Sequence, residues 1–357
     1  MQLKFLSYTY PGLEWILKQE ILNKKWQLAE IWPGFVSYFW NESVLVKANL
    51  WLRTANKVYI VLDEFSTNNF DELFDRIYDI DWKFWIWNKF KFFVKPHIVK
   101  SDFSQVWIQK IVQKAIIKKL VGSWNYVSTT WTNLEIRVDV FKNNFKILLD
   151  TSGDPLYKRG YKVENSQANI KETLAAGIIL LSGCKQDVCY DPFCGSWTLL
   201  IEKALIDLNI APGSFRKFVF EEFDWIDKNL VQKERRRAST RRKDKSIKLY
   251  GYDIDERMVN IARQNIENAW LIDYIVVQQW DFLNLKISDC MITNPPYGER
   301  IKSKNIEKIY DKLFKDLKNL KCGWIITGYK VDKKFLGNFK VRVLSNGGKR
   351  VRFLWRK

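Results

Sequence analysis

From Ala168 onward the chain takes up a rhythm that few folds can accommodate. QDVCYD is followed by WTLLIEKALIDL and IKLYGYDID by ERMVNIARQNIENA, after which come YIVVQ, CMITN and GWIITGY. Apolar runs too short for helices alternate here with amphipathic segments of helical length. That pattern demands parallel strands joined by crossover helices that cover both faces of the sheet. FKVRVLSN and KRVRFLWRK close the sequence as an antiparallel pair. The prediction is a doubly wound α/β fold, and in such sheets ligands lie beyond the carboxyl ends of the strands.

The first half is mixed α+β. LKFLSYTY reads as a strand and PGLEWILKQEILNKK as a helix opened by Pro11, while FVSYFW and SVLVKANL alternate like two strands turning at Asn41 and Glu42. VYIVLDEF and KFFVKPHIV read as strands, and FDELFDRIYDI and VWIQKIVQKAIIKKL as helices. IRVDVFKNNFKILLD reads as a hairpin turning at Asn143 and Asn144. A polar stretch, TSGDPLYKRGYKVENSQ, links the halves.

Charge and rare residues narrow the function. Against 40 Asp and Glu stand 59 Lys and Arg, a net charge of +19, which suits a protein that meets polyanions. The densest run, Lys233 to Lys245 (KERRRASTRRKDK), is either a contact to RNA phosphates or a solvated face. His97 is the single histidine, which excludes a Ser-His-Asp triad and a histidine-rich metal site. The five cysteines form no CxxC pair, so neither a disulfide framework nor structural zinc is expected, and a reducing cytosol fits. No apolar run reaches the roughly 18 residues of a membrane span, and MQLKFLSYTYPGLEW lacks the features of a signal peptide. The expectation is a cytoplasmic chain with no membrane and no metal.

Chemistry concentrates just after the strands. DPFCGSW places Asp191, Phe193, Gly195 and Ser196 at a strand-to-helix turn whose backbone amides can meet a ligand. GYDID ends a strand with Asp253 and Asp255, and a carboxylate there can accept both hydroxyls of a ribose, although Asp255 can also serve only as a helix cap. Asp281 can accept from an adenine amino group while Phe282 covers the ring or merely joins the core. CMITNPPYGER then sets Asn294, Pro295, Pro296 and Tyr297 beyond another strand. The Asn294 side-chain oxygen and the Pro295 carbonyl can accept hydrogen bonds from an –NH₂ group, and Tyr297 offers a stacking face to a flipped base.

That last element closely resembles the (N/D)PPY signature of methyltransferases acting on exocyclic amino groups. With DTSGDPLYKRGYKV, KETLAAGIILLSG and IAPGSFRKFVFEEFDW, it makes nearly the whole chain resemble the THUMP-containing RNA methyltransferases related to RlmL. The resemblance implies a ferredoxin-like segment over residues 1–55, a THUMP RNA-binding domain over 56–155 and a Rossmann-like class I methyltransferase domain over 156–357. It also implies S-adenosyl-L-methionine as cofactor, with Asp191 and Gly195 on its methionine side, Asp253 at the ribose, Asp281 at the adenine and Asn294 to Tyr297 at the target base. The activity implied is methylation of guanine N2 in 23S rRNA; the alternatives are a tRNA guanine-N2 enzyme or a non-catalytic RNA-binding assembly factor. An adenine-N6 DNA enzyme shares the NPPY element but not the RNA module. Larger relatives carry a second methyltransferase domain, for which 357 residues are expected to leave no room.

Tryptophan departs from that pattern. The family's turn continues Gly-Ser-Gly where this chain has Gly195, Ser196 and Trp197, and a Trp there is expected to crowd the cofactor. Trp270 follows a helix where Gly is usual, and Trp280 precedes Asp281 at another position familiar for Gly. The chain has 17 Trp and only 16 Gly. We read these as UGA codons translated as Trp but meant as Gly, the alternatives being genuine Trp in a host that reads UGA as Trp or a decayed enzyme, while Trp51, Trp82 and Trp225 stand at apolar or family-compatible positions that suit a genuine Trp.

Overall fold

The computed structural model describes residues 2–86, 90–120, 132–163, 170–195, 197–298, 303–337, 339–346 and 349–356. Two seven-stranded sheets organise them. The first holds β1 (Leu3–Tyr8), β2 (Gln27–Trp32), β3 (Phe35–Trp40), β4 (Lys57–Ser66), β5 (Phe90–Val99), β6 (Thr132–Phe141) and β7 (Asn144–Asp150), in the order β2-β3-β1-β4-β7-β6-β5. Its pairs are antiparallel except β5 with β6. Because β1 pairs with β4, Phe5 opposite Ile60, the N-terminal segment and the one after it share a continuous sheet. Helices α1 (Glu14–Asn23), α2 (Ser43–Trp51), α3 (Phe70–Asp79), α4 (Trp82–Trp85) and α5 (Gln105–Leu120) belong to this half.

Two local readings change. Ser43–Trp51 is the helix α2 rather than a strand: the Asn41 side chain accepts from Ser43 N at 3.1 Å and Ser43 Oγ at 2.6 Å, turning the chain into the helix. Val44, Leu45, Val46, Ala48 and Leu50 are all buried, and a segment apolar all round carries no periodicity that separates helix from strand. The hairpin turns one residue early, at Lys142 and Asn143, with Lys142 in the left-handed region and Asn144 already pairing with Phe141. β2 is an additional strand that the sequence reading did not single out.

The second half is the doubly wound sheet that the alternation predicts. It comprises β8 (Val188–Asp191), β9 (Lys248–Asp253), β10 (Ile275–Gln279), β11 (Cys290–Thr293), β12 (Gly323–Thr327), β13 (Phe339–Asn346) and β14 (Lys349–Arg356), ordered β10-β9-β8-β11-β12-β14-β13. The run from β10 to β12 is parallel, and β14 and β13 add antiparallel. Helices α6 (Glu172–Ser182), α7 (Thr198–Asp207), α8 (Lys228–Thr240), α9 (Glu256–Asn268), α10 (Ser303–Asn319) and the short α11 (Lys333–Leu336) complete it. The strand order reverses at β8: β9 and β10 lie to one side, β11 and β12 to the other. That switch point opens the crevice where such folds bind ligands.

The cysteine expectation needs correction. Cys290 and Cys322 form a disulfide with Cα atoms 4.7 Å apart. Met291 and Gly323 are partners in the β11–β12 ladder, so the residues just before them stand side by side. Cys184, Cys189 and Cys194 are free and buried. Among the described residues no helix is long and apolar enough to cross a membrane, and no His/Cys/Asp/Glu cluster suits a metal.

The halves interlock. Phe220, Phe223, Ile226, Val231 and Ala238, from the connection between α7 and β9, pack into the core of the first sheet, whereas Leu13 and Ile16 at the start of α1 join the core of the second. A polar knot lies between them. Arg159 Nε donates to Glu202 Oε1 at 3.1 Å, with side-chain exposures of 2% and 0%. Arg159 also donates to the carbonyls of Leu156 and Arg53, and Arg53 in turn to those of Leu205 and Ile210. Gly160, at φ +103°, lies so close to Phe215 that a Cβ would come within 2.1 Å of its carbonyl oxygen. Deleting one partner of a buried pair leaves the other charge uncompensated. Arg159→Ala is therefore expected to lose roughly 3–5 kcal/mol of stability in urea titrations; a loss below about 1 kcal/mol would show that the junction is held by its apolar contacts.

Candidate active site

The turn after β8 is anchored from below. Asp191 is buried, and its Oδ1 accepts from Thr293 Oγ1 at 2.6 Å and from Phe193 N at 3.2 Å. Burial, partly offset by these bonds, pushes its pKa up to about 7. One carboxylate thus ties the end of β8 to the end of β11. Gly195, at φ +46°, donates its N–H to Asp253 Oδ2 at 3.0 Å, and nothing lies within 4 Å of the place its Cβ would occupy. Asp253 closes β9, and its other oxygen accepts from Asp255 N at 3.0 Å. Burial raises its pKa as well.

The remaining sequence candidates divide. Asp255 caps α9, accepting from Arg257 N and pairing with the Arg257 guanidinium. Asp281 caps the 3-10 turn Phe282–Asn284 by accepting from Leu283 N, and Phe282 is buried with its ring centroid 4.7 Å from that of Phe193. Lys312 Nζ stands 4.3 Å above the Phe282 ring. Ser196 lies outside the described residues. Asp191 and Asp253 therefore end β8 and β9, Gly195 follows β8, and Asp281 and Phe282 follow β10, with open space where a Cβ on Gly195 would stand.

Across the switch point, Asn294 to Tyr297 follow β11. The Tyr297 hydroxyl donates to Asn294 Oδ1 at 2.8 Å, and its ring covers Gly328, where a Cβ would come within 2.7 Å of Tyr297 Cδ2. Pro295 is buried. The Pro296 carbonyl accepts from the Tyr310 hydroxyl at 3.2 Å. Thr293, Tyr310, Thr327 and Tyr329 were not found by sequence reasoning; Tyr310 shares the apolar stripe of α10 with Ile306, Leu313, Phe314 and Leu317, and nothing in the pattern sets it apart.

Trp197 occupies the first left-handed position of interest, φ +70°. Its indole turns away from the crevice into the core, with 0% exposure, lying where a Cβ on Gly251 would come within 2.0 Å of Cη2. The expected crowding of the cofactor site is thus replaced by burial against β9. The indole N–H has no hydrogen-bond partner, unlike that of Trp82, which donates to the Ile77 carbonyl at 2.6 Å. Trp270 is also left-handed, φ +58°, and 62% exposed at the C-terminal end of α9. Trp280 has no such backbone; its N–H donates to the Asp253 carbonyl at 2.9 Å.

A mostly parallel sheet in this order puts its strand ends at a switch point of the kind where nucleotide-binding α/β folds hold their ligands. Comparison with known proteins gives the family. The model for the RlmL ferredoxin-like domain matches residues 4–59, that for the THUMP domain 67–150, and that for the RMKL-like methyltransferase domain 159–346. The chain belongs to this family of methyltransferases. It is 37% identical over 313 residues to the putative RNA methyltransferase YpsC of Bacillus subtilis (strain 168), covering 85% of this chain and 81% of that one. It is 32% identical to the tRNA (guanine(6)-N2)-methyltransferase of Methanocaldococcus jannaschii, covering 88% and 86%. Similarity to the ribosomal RNA large subunit methyltransferase K/L of Shewanella baltica (strain OS195) is 30% over 95% of this chain but 50% of that protein, so the chain spans about half the length of the K/L relatives. Among solved structures, a possible methylase from Clostridium difficile 630 superposes with a TM-score of 0.90 at 35% identity, covering 100% and 98%. SMU.472, a putative methyltransferase complexed with SAH, gives 0.88 at 33%, covering 99% and 98%.

Asp191 makes stability depend on pH. Its pKa is raised on folding from 3.8 to about 7, so the native state holds a proton that the unfolded chain releases, and stability falls as pH rises through that window. Asp191→Asn keeps an oxygen for Thr293 and Phe193 but cannot ionise. The variant is expected to flatten the fall of the unfolding free energy between those pH values; an unchanged pH profile would refute the raised pKa.

Proposed function

We propose that this chain transfers a methyl group from S-adenosylmethionine to the exocyclic N2 of a guanine in RNA, with 23S rRNA as the substrate. The observation that carries this reading is the position of Asn294 to Tyr297: two acceptors and an aromatic ring at the switch point, opposite the turn that carries Gly195. The cofactor fits the residues present. Gly195 has open space where a Cβ would stand, Asp253 would offer a carboxylate to the ribose hydroxyls, and Asp281 would accept from the adenine amino group, while Phe282 is buried in the core beside it. When bound, it supplies an electrophilic methyl on a sulfonium. Asn294 Oδ1 and the Pro295 carbonyl then accept from the target amine and aim its lone pair, while Tyr297, released from Asn294, stacks on the base. This transfer depends on positioning more than on a strong base, in keeping with the absence of histidine from the described site.

RNA as substrate is supported by charge as well as by the THUMP match. A cavity of about 980 Å³ lies between the halves, with Lys57, Phe93 and Lys95 from the first sheet facing Tyr157, Lys171 and Lys217. Lys57 is paired with Glu135 and Asp150, and the exposed Lys95 and Lys217 near the exposed Phe93 ring suit an unpaired RNA strand. The run 233–245 falls largely on α8, where Lys233, Arg236 and Arg237 are exposed. A tRNA substrate is the second reading, favoured by the similarity to the M. jannaschii enzyme, which matches in length where the K/L proteins do not. The binding-only alternative requires Trp197 to block the cofactor, and the burial of its indole in the core supports the enzyme reading instead. The decisive assay offers labelled S-adenosylmethionine and undermethylated total RNA, followed by digestion of separated rRNA and tRNA. N2-methylguanosine in rRNA is expected; label in tRNA alone would move the substrate, and another methylated base would reject guanine N2. Neutralising Lys233, Arg236 and Arg237 is expected to lower the slope of log affinity against log salt by about 2–3, and an unchanged slope would make the run a solvated face.

We also infer that positions 197 and 270 are glycine positions, their codons being UGA. A left-handed backbone costs a residue with a Cβ roughly 1–2 kcal/mol, and Trp197 adds a buried N–H without a partner. Trp270→Gly is expected to raise stability by about 1 kcal/mol, whereas Trp270→Ala, which keeps the Cβ, is not. A gene reading UGG at 197, 270 and 280 would end the codon argument.

A further inference from the structure

The Asn294–Tyr297 turn presents an anchoring problem that its sequence creates. Prolines carry no N–H, so Pro295 and Pro296 cannot donate a backbone hydrogen bond, and at these two residues the carbonyl is the only main-chain polar group by which the protein can fix the turn. The Pro296 carbonyl has such a handle. The Tyr310 hydroxyl, buried on α10, donates to it at 3.2 Å and also bonds Thr327 Oγ1 at the end of β12. Thr327 Oγ1 accepts from Tyr329 N at 3.0 Å.

The direction of this chain follows from the proton inventory. A carbonyl only accepts, so the single Tyr310 proton goes to Pro296. The Tyr310 oxygen then accepts the Thr327 proton, and the Thr327 oxygen accepts the Tyr329 N–H. Each donor polarises the next, and the last points at the turn. Burial keeps the Tyr310 hydroxyl protonated by pushing its pKa up. Tyr329 stacks on the Tyr310 ring with centroids 4.4 Å apart, which fixes where the hydroxyl points.

We propose that Tyr310 is a positioning residue for methyl transfer, holding the Pro296 carbonyl so that the acceptors of Asn294 and Pro295 face one fixed point. This rests on the methyltransferase reading above. With the Pro296 carbonyl fixed, and φ of both prolines set by their rings, the peptide planes on either side have little freedom. Released, the turn still binds a base but aims its amine less well.

The test compares Tyr310→Phe with the unsubstituted chain on RNA in which that chain places its methyl groups. Phe keeps the ring and the stacking and removes the hydroxyl, which is both the donor to Pro296 and the acceptor of the Thr327 proton. The expected result is a fall of about tenfold in kcat, with KM for RNA and the S-adenosylmethionine Kd nearly unchanged and the thermal midpoint lowered by no more than the few degrees that an unpaired buried hydroxyl costs, as for an interaction that matters for alignment rather than binding. Thr327→Val should lose less, and the double variant no more than Tyr310→Phe alone, because both act through one chain. A kcat within twofold, or a loss carried by KM, cofactor affinity or the midpoint, would overturn the assignment. If the unsubstituted chain transfers no methyl to RNA, the enzyme reading itself fails, a result distinct from an active parent with an indifferent Tyr310→Phe.

Discussion

The buried pairing of Arg159 with Glu202 is the constraint on which the two halves depend. Arg159 arises from the polar connection between the sheets and Glu202 from α7, which starts beside the crevice. Two desolvated charges are tolerable only when matched in geometry and supplied with further hydrogen bonds. The carbonyls of Arg53 and Leu156 meet this need, and Arg53 extends the knot to the residues after α7. The first sheet is thereby tied to α7, the helix that follows the Gly195 turn.

A similar economy operates at the switch point. Asp191 could be a ligand-facing carboxylate by sequence, but it is buried and bridges Phe193 N to Thr293 Oγ1. It joins the turn on one side of the crevice to the turn on the other. Asp253 is half-buried, with one oxygen accepting from Gly195 N–H and the other from Asp255 N–H. Methyl transfer needs two partners held in line, and rigid strand ends locked to each other supply that better than mobile loops.

Much of this was legible in the sequence for physical reasons. Strand–helix alternation fixed the doubly wound half, because parallel strands buried on both faces must be short, apolar and separated by helices. Acids and glycine at strand ends marked the crevice. Elsewhere periodicity failed: α2 is apolar all round and mimics a strand, and β2 went unread. Tyr310 looks like any core residue of α10 until the fold brings its hydroxyl to Pro296. The Cys290–Cys322 pairing needs the register of β11 with β12, which no spacing rule reveals. Trp197 and Trp270 stand out as departures from the glycines of the resembled family, and composition agrees, but only the backbone shows that both stand in left-handed conformations while Trp280 does not.

The central claim is that the turn after β11 selects and aims an exocyclic amine without contributing to cofactor binding. Substituting Asn294 by Ala and measuring methyl transfer beside S-adenosylmethionine affinity tests it most directly. The account predicts that transfer falls by at least about a hundredfold, the scale seen when a positioned polar group is lost from a reacting centre, while cofactor affinity stays within twofold. Transfer retained near the original rate, or lost together with cofactor binding, would contradict it.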